Sequence, residues 1–190
     1  MKKRLLSTTA ILLLASATLS AEDTQVRVGM TSISGTMNLE DASGYTTPDY
    51  DMSGSGFEVS IVGGVDKNEG FDFRPVLTLQ SNKTTYNSTV DASDIMLLGE
   101  FEFAYNINEY ISPFVGFYGG VGSTNIPDWD ESGCVTADLG LLVGISGAIS
   151  EDFGYYGKYT VGSKIYNIAD DTIGVRTNPS TIKVGISYTF

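Results

Sequence analysis

Apolar and polar residues alternate along most of the chain. The clearest case is the last stretch, in which every second position is apolar: Ile182, Val184, Ile186, Tyr188 and Phe190. Successive side chains of a β-strand point to opposite faces, so this pattern predicts a strand with one apolar and one polar face. No stretch has the period of a long amphipathic helix. The pattern therefore indicates an all-β protein.

The same period of two recurs in eight segments, which predicts eight strands. Polar stretches over residues 40–55, 81–93, 123–133 and 167–179 predict four long loops, and short turns separate the other strands. Between Ile33 and Leu39 the phase is unclear, which is consistent with a bulge or an early loop. Pro75 lacks an amide hydrogen, so we expect it at a bulge or an unpaired position of strand three. The alternation of long loops with short turns is typical of outer-membrane barrels.

The first 21 residues have the features of a secretory signal peptide. Lys2, Lys3 and Arg4 precede an apolar run over 5–19, and the small residues Ser20 and Ala21 follow it. The apolar run is too short for a membrane-spanning helix. We expect cleavage after Ala21, or less favourably after Ala17, which makes 22–190 one barrel domain of 190 − 21 = 169 residues.

The alternation alone does not decide which face lies inside, because a soluble barrel buries its apolar face and a membrane barrel exposes it. Glycines gather on the polar face, where a narrow eight-stranded interior needs small side chains. Aromatic residues gather near the short turns, as in the girdle at a membrane–water interface. The favoured interpretation is an eight-stranded antiparallel up-and-down transmembrane β-barrel with short periplasmic turns and four longer outer loops. A soluble ligand-binding barrel is the disfavoured alternative.

Charged residues of both signs lie on the polar face, which this interpretation turns towards the lumen. Unpaired charges are costly inside a narrow barrel, so we expect them to form an ion-paired network that plugs it. Eight strands leave room for side chains and little else. The predicted network consists of Arg27, Glu58, Arg74, Glu100, Glu102, Asp138, Lys158, Lys164 and Lys183.

The mature part of the chain resembles the eight-stranded OmpA-barrel, OmpX and opacity-like outer-membrane protein families. The resemblance is carried by the strand pattern and by the last strand, with Tyr188 two residues before Phe190. It implies residence in the outer membrane and contact with its lipid. It also implies that Tyr188 and Phe190 act as an assembly signal read by the barrel-assembly machinery.

The composition argues against several functions. Removing the signal takes three of the 11 basic residues and leaves a charge of 8 − 23 = −15, which disfavours nucleic acid as a partner. The chain has no His, so hydrolytic sites that use His as a base are excluded. We read Glu100 and Glu102 as charge partners rather than a catalytic pair, and Cys134 as a loop thiol without a role. We expect no enzymatic activity, no cofactor and no metal site.

Two features of the predicted loops keep alternatives open. Asp128, Asp130 and Glu131 could bind Ca²⁺, although they lack EF-hand spacing and are read as a solvated surface. Trp129, with Tyr45, Tyr50 and Tyr86, could make a loop-borne binding surface; the open alternatives are that these aromatic residues pack loop on loop or lie near lipid headgroups. The predicted function is a structural or adhesin-like surface role through an unknown extracellular ligand of the loops. The alternative is a narrow porin-like channel for ions or very small polar solutes.

Overall fold

Eight antiparallel strands pair in chain order and close into one barrel, with β8 hydrogen-bonded to β1. The structure, a computed structural model, describes residues 24–41, 49–65, 68–127, 131–167 and 173–190. The predicted all-β barrel is confirmed, and the predicted signal peptide lies outside the described residues. Among the residues described, no helix is both long and apolar enough to cross a membrane. The strands are β1 Gln25–Asp41, β2 Tyr50–Val62, β3 Gly70–Tyr86, β4 Val90–Asn106, β5 Ser112–Ile126, β6 Glu131–Ala148, β7 Phe153–Asn167 and β8 Ile173–Thr189.

The strands are staggered, so they tilt with respect to the barrel axis. A path of register partners that starts at Arg27 and visits every strand returns to β1 at Met37, a stagger of 37 − 27 = 10 residues. Strand number and stagger together fix the width of a barrel, and eight strands enclose a space that side chains fill. The lumen is therefore a packed interior.

The barrel has two different ends. We call the end with the connections 63–69, 107–111 and 149–152 the turn end, and residues 24 and 190 also lie there. The outer end has the connections 42–49, 87–89, 127–130 and 168–172. All the outer connections are shorter than the sequence predicts, because the strands continue through most of each polar stretch.

The prediction of a long loop over 81–93 is wrong, because these residues form a hairpin. β3 and β4 stay in register up to the pair Tyr86 and Val90. Asn87 and Ser88 then turn the chain with φ values of 47° and 60°. Two successive residues with positive φ are the pattern of a type I′ turn, which matches the twist of the flanking strands. Serine and threonine at exterior positions do not prevent pairing when the facing strand satisfies their backbone.

The apolar face of the barrel is outside, as predicted. Large apolar side chains form a belt around the exterior, for example Leu139 at 67% and Leu141 at 63% exposure. The opposite side chains are buried, and they include Arg27, Glu58 and Lys158. We call the part of the barrel that carries this belt the membrane segment. Pro75 lies one residue beyond the last β2–β3 register pair, Val62 and Val76, so it has no register partner on the β2 side. It is not at a bulge, because it stays in register with Phe101 of β4, and its carbonyl accepts a hydrogen bond from the Gly63 amide at 2.9 Å.

Beyond the belt the polarity of the two faces reverses. We call these strand ends the outer tip: residues 33–41, 50–53, 84–92, 124–127, 131–134, 165–167 and 173–178. Its lumen side is an apolar cluster, the outer core, while exterior positions such as Ser34, Ser53 and Asn178 are exposed and polar. On β6 and β7 the exterior stays apolar further out, with Val135 and Ile165 exposed. The outer core consists of Ile33, Met37, Met52, Tyr86, Ala92, Ile126, Tyr166 and Val175.

Candidate functional site: a filled lumen

Four charged side chains form the centre of the lumen. The Lys158 ammonium lies 2.7 Å from Glu100 Oε2 and 3.3 Å from Glu58 Oε1. The Lys183 ammonium lies 2.8 Å from Glu58 Oε2 and 4.0 Å from Glu100 Oε1. Each lysine thus touches both carboxylates, and each carboxylate touches both lysines. Such reciprocal pairing compensates two positive and two negative charges that lie out of contact with bulk water.

Neutral side chains, two of them donors and one an acceptor, complete this central cluster. The Tyr156 hydroxyl donates to Glu58 at 2.9 Å, and the Thr78 hydroxyl donates to Glu100 at 3.0 Å. Lys183 also donates to Gln80 Oε1 at 2.7 Å. Buried carboxylates need several donors because their desolvation is costly. The polar neighbours therefore stabilise the same charge arrangement that the lysines set up.

A second ion pair lies next to the cluster on its turn-end side. Arg27 Nη1 donates to Glu102 Oε1 at 2.7 Å, and both side chains are fully buried. Arg27 Nε donates to Gln25 at 2.9 Å. The guanidinium carbon lies 5.2 Å from the centre of the Tyr156 ring and 5.8 Å from that of Phe114. Arginine suits this place because its flat, weakly hydrated charge packs against aromatic faces.

The lumen widens at the turn end. Arg74 Nε donates to Asp72 at 2.5 Å, and Arg74 also donates to Ser146, Asn106 and Ser112 at 2.9, 2.7 and 3.1 Å. Outside this layer lies a cavity of about 750 Å³. Arg74 forms part of its lining. The cavity leads from the turn end up to a layer of hydrogen-bonded side chains.

Another charge pair lies towards the outer end. Lys164 donates to Asp94 Oδ2 at 2.8 Å, and Asn82 donates to Asp94 Oδ1 at 2.8 Å. Asp138 is the register partner of Lys164 and accepts a hydrogen bond from Tyr118 at 3.3 Å. This layer carries the polar network to the base of the outer core.

The outer core closes the lumen above the charges. Tyr86 is 2% exposed, and its hydroxyl lies 3.0 Å from that of Tyr166 on the other side of the lumen. Met37 and Met52 are buried beside them, and Tyr50 and Val90 pack against the cluster. The two hydroxyls satisfy each other, so a buried tyrosine pair fits among apolar side chains.

Comparison with known proteins identifies the fold. No family model matches the chain, and no curated protein matches it. Among solved structures, neisserial surface protein A has a TM-score of 0.60 at 12% identity and covers 88% of this chain and 97% of its own. The outer membrane protein OprG from Pseudomonas aeruginosa has a TM-score of 0.57 at 10% identity and covers 90% and 96%. The outer membrane protein AlkL, solved in DMPC bilayers, has a TM-score of 0.53 at 15% identity and covers 90% and 90%.

The chain has the fold of an eight-stranded outer-membrane β-barrel. The apolar belt gives this fold the exterior that a lipid bilayer requires, since apolar side chains there would otherwise face water. Fold and belt together place the barrel in an outer membrane.

The structure places the nine residues of the predicted charge network in the lumen. Eight are buried, and Asp138 is partly buried. The arrangement brings together Glu58, Glu100, Lys158 and Lys183, while Arg27 with Glu102, Arg74, and Lys164 with Asp138 occupy other layers. Sequence reasoning missed Asp72 and Asp94 as ion-pair partners. Asp94 has the same parity as Glu100 on β4, so the period of two was a usable signal for it.

Two predicted loop residues lie inside the barrel. Tyr86 does not belong to a loop surface, because it ends β3 with its ring in the lumen. Cys134 is a strand residue, 5% exposed on the lumen side of β6, and not a loop thiol. Both lie in the outer tip, where the lumen is apolar and the strands continue beyond the membrane segment. Tyr45 and Trp129, and the side chains proposed for Ca²⁺, lie outside the described part of the structure.

The two predicted assembly residues belong to a cluster of edge-to-face aromatic rings at the turn end. The Tyr188 ring lies 5.0 Å from that of Phe190 and 5.1 Å from that of Phe153. The Phe190 amide donates to the Thr24 carbonyl at 3.1 Å. These contacts join β7 to the closing strand. The role of Tyr188 and Phe190 as an assembly signal stays a prediction.

Proposed function

We propose that this protein is a non-enzymatic outer-membrane barrel with a closed lumen, and that it acts at the cell surface through its outer connections. The observation that carries the proposal is the filled lumen, which contains four layers of ion pairs and then an apolar core. A barrel whose lumen is closed to solutes serves as a scaffold for its outer connections. The lack of His in the whole chain excludes hydrolytic sites that use His as their base.

The central cluster opposes passage of polar solutes. A solute would have to displace Lys158 or Lys183 from carboxylates at 2.7–2.8 Å. Leaving such a charge unpaired in a low-dielectric interior costs about 3–5 kcal/mol. The pairs join side chains from β2, β4, β7 and β8, so opening them would require movement across the barrel.

The outer core adds a barrier of a different kind. Ions that passed the charged layers would then have to cross Met37, Met52, Tyr86 and Tyr166. An apolar constriction repels ions because it offers no replacement for their hydration shell. The two barriers act in series, which supports a closed barrel more strongly than either one alone.

The outer tip supports the surface role. Its strands keep their pairing beyond the belt and enclose their own apolar core, so the outer connections rest on a rigid base. Function in such proteins is concentrated in connections that a rigid scaffold positions. We infer that an extracellular ligand binds across these connections.

The cavity at the turn end favours a second candidate function. The cavity, with a volume of about 750 Å³, extends part of the way into the lumen and ends at polar side chains. A narrow channel for ions would use this cavity as its entrance. It would also need the charged layers and the outer core to rearrange.

Planar-bilayer recording of the refolded full-length protein tests the proposal. We expect no steady conductance from the wild type, because both barriers are in place. The double variant Met37→Ala, Tyr86→Ala shortens the apolar barrier, and we expect brief openings from it. Ser53→Ala, on the exterior of the same tip, is the matched control and should stay silent. Steady, ion-selective wild-type conductance would establish the channel function instead.

A further inference from the structure

Positive charge on the described exterior of the barrel is confined to two residues near the outer end. Arg27, Arg74, Lys158, Lys164 and Lys183 are all buried in the lumen. Lys83 and Arg176 are exposed, on β3 and β8. At the turn end the exposed charged side chains that the structure describes include Glu109, Glu151 and Asp152. Asp49, Asp51 and Asp91 are also exposed at the outer end, so Lys83 and Arg176 lie among carboxylates there.

Lys83 lies in the middle of a row of short polar side chains that the strand register brings together. Ser32 faces Ser55, Ser55 faces Lys83, Lys83 faces Ser93, and Ser93 faces Asn125. All five residues are exposed on the exterior of β1 to β5. We call them the outer row. Directly opposed side chains in an antiparallel pair lie about 5 Å apart at Cβ, so neighbours in the row can bind one ligand together.

The outer row lies at the upper edge of the lipid-facing belt. Ser55 and Ser93 are the first exterior positions beyond Phe57 and Ile95, which are 59% exposed. Lys83 is the second exterior position beyond Leu79. Acyl chains contact the belt, so the headgroup of the same lipid lies at the height of the row.

We propose that the outer row binds the phosphorylated sugar headgroup of a glycolipid in the outer leaflet. The Lys83 ammonium pairs with a phosphate, and the hydroxyls of Ser55 and Ser93 and the Asn125 amide exchange hydrogen bonds with sugar hydroxyls. Asp91, the nearest carboxylate in the adjacent row, accepts a hydrogen bond from Thr85 at 2.8 Å. The inference is independent of whether the lumen conducts.

Arg176 provides a comparison within the same protein. It is exposed at the outer end like Lys83, and its Nε donates to Ser163 at 2.8 Å. Its register partners are Asn38 and Ile165, so it lacks the flanking serines of the outer row. Removing either charge changes the overall electrostatics equally. Only the removal of Lys83 disrupts the proposed site.

Native mass spectrometry of the full-length barrel in detergent tests the proposal. The probes are diphosphorylated lipid A, the same lipid after dephosphorylation, and phosphatidylglycerol. We expect the wild type to retain diphosphorylated lipid A in preference to both others. Lys83→Gln should weaken that retention about fivefold, the effect of one basic side chain at a charged lipid surface. Lys83→Arg should keep most of it, and Arg176→Gln should change it by less than about twofold.

Three results would overturn the proposal. Equal retention of phosphatidylglycerol would mean that the outer row recognises the negative charge of a headgroup and not its sugar. Equal losses in Lys83→Gln and Arg176→Gln would assign binding to overall electrostatics. Unchanged retention in Lys83→Gln would remove the outer row from lipid binding altogether. Ser55→Ala combined with Ser93→Ala should reduce the preference for lipid A over phosphatidylglycerol while leaving Lys83 in place.

Discussion

In the membrane segment the lumen contains ion pairs such as Lys158 with Glu100, and the exterior is apolar. In the outer tip the lumen contains Met37 and Tyr86, and the exterior is polar over most of its circumference. The same strands run through both regions. Most strands therefore change the polarity of both faces part of the way along, whereas the exterior of β6 and β7 stays apolar further out.

The difference follows from the solvent outside the barrel. Lipid accepts apolar side chains and rejects charges, so the membrane segment must keep its polar groups inside. Water around the outer tip makes burial of apolar side chains favourable again, as in a soluble protein. The outer tip is thus stabilised by the hydrophobic effect across its lumen, and the membrane segment by internal pairing of polar groups.

Breaking the central charge cluster should have the largest effect. Glu100→Ala leaves Lys158 and Lys183 with fewer carboxylate partners, which costs about 3–5 kcal/mol for a buried pair. We expect a lower urea midpoint for the protein refolded into lipid vesicles. Glu151→Ala, at an exposed turn, is the control and should leave the midpoint in place. An unchanged midpoint in Glu100→Ala would mean that water in the lumen screens the cluster.

Truncating the outer core should come next and act locally. Met52→Ala removes buried apolar volume, and such core substitutions cost about 2–5 kcal/mol. We expect faster amide hydrogen exchange in the outer halves of β1 and β2, with β3–β5 of the membrane segment unaffected. Ser53→Ala, the next residue and on the exterior, should leave exchange unchanged. If the two variants behave alike, the tip does not depend on an internal apolar core.

Placing a charge on the exterior locates the boundary between the two regions. Val143→Arg puts a cation on the belt, where lipid-facing arginine costs about 2–4 kcal/mol. Ser34→Arg puts the same side chain on the outer tip, where the cost falls to about 0–1 kcal/mol. Urea titration in vesicles should separate the two variants clearly. Equal costs would show that both positions face the same medium.

The tyrosine pair should contribute the smallest effect. Tyr86→Phe removes one hydroxyl from the Tyr86–Tyr166 pair, and a hydrogen bond of this kind contributes about 0.5–1.5 kcal/mol. We expect a small fall in the urea midpoint and no change in the strand signal by circular dichroism. Tyr159→Phe, on the lipid-facing exterior, is the control. A fall in the urea midpoint as large as that of Met52→Ala would mean that the hydroxyl pair has a gating or structural role larger than one hydrogen bond.

The sequence determined the architecture of the membrane segment. A period of two placed Val184 outside and Lys183 inside, because only one face of a strand can meet lipid. The same period also predicted which charged residues lie in the lumen, since charges on the face turned away from lipid must pair with each other. Asp94 could have been added by the same parity argument. It lies four residues before Leu98 on β4, and an even separation puts both side chains on the same face of the strand.

Only the tertiary structure decided how the outer tip is built. Ser81 to Thr85 are loop-forming by composition, yet β3 continues because β2 and β4 satisfy its backbone on both sides. Tyr86 lies inside because the barrel wall surrounds it, and the unclear phase between Ile33 and Leu39 marks the point where β1 changes its apolar face. A local pattern predicts which residues share a face. The medium on each side of that face is set by the closed barrel and its position in the membrane, because register and burial depend on partners that are distant along the chain.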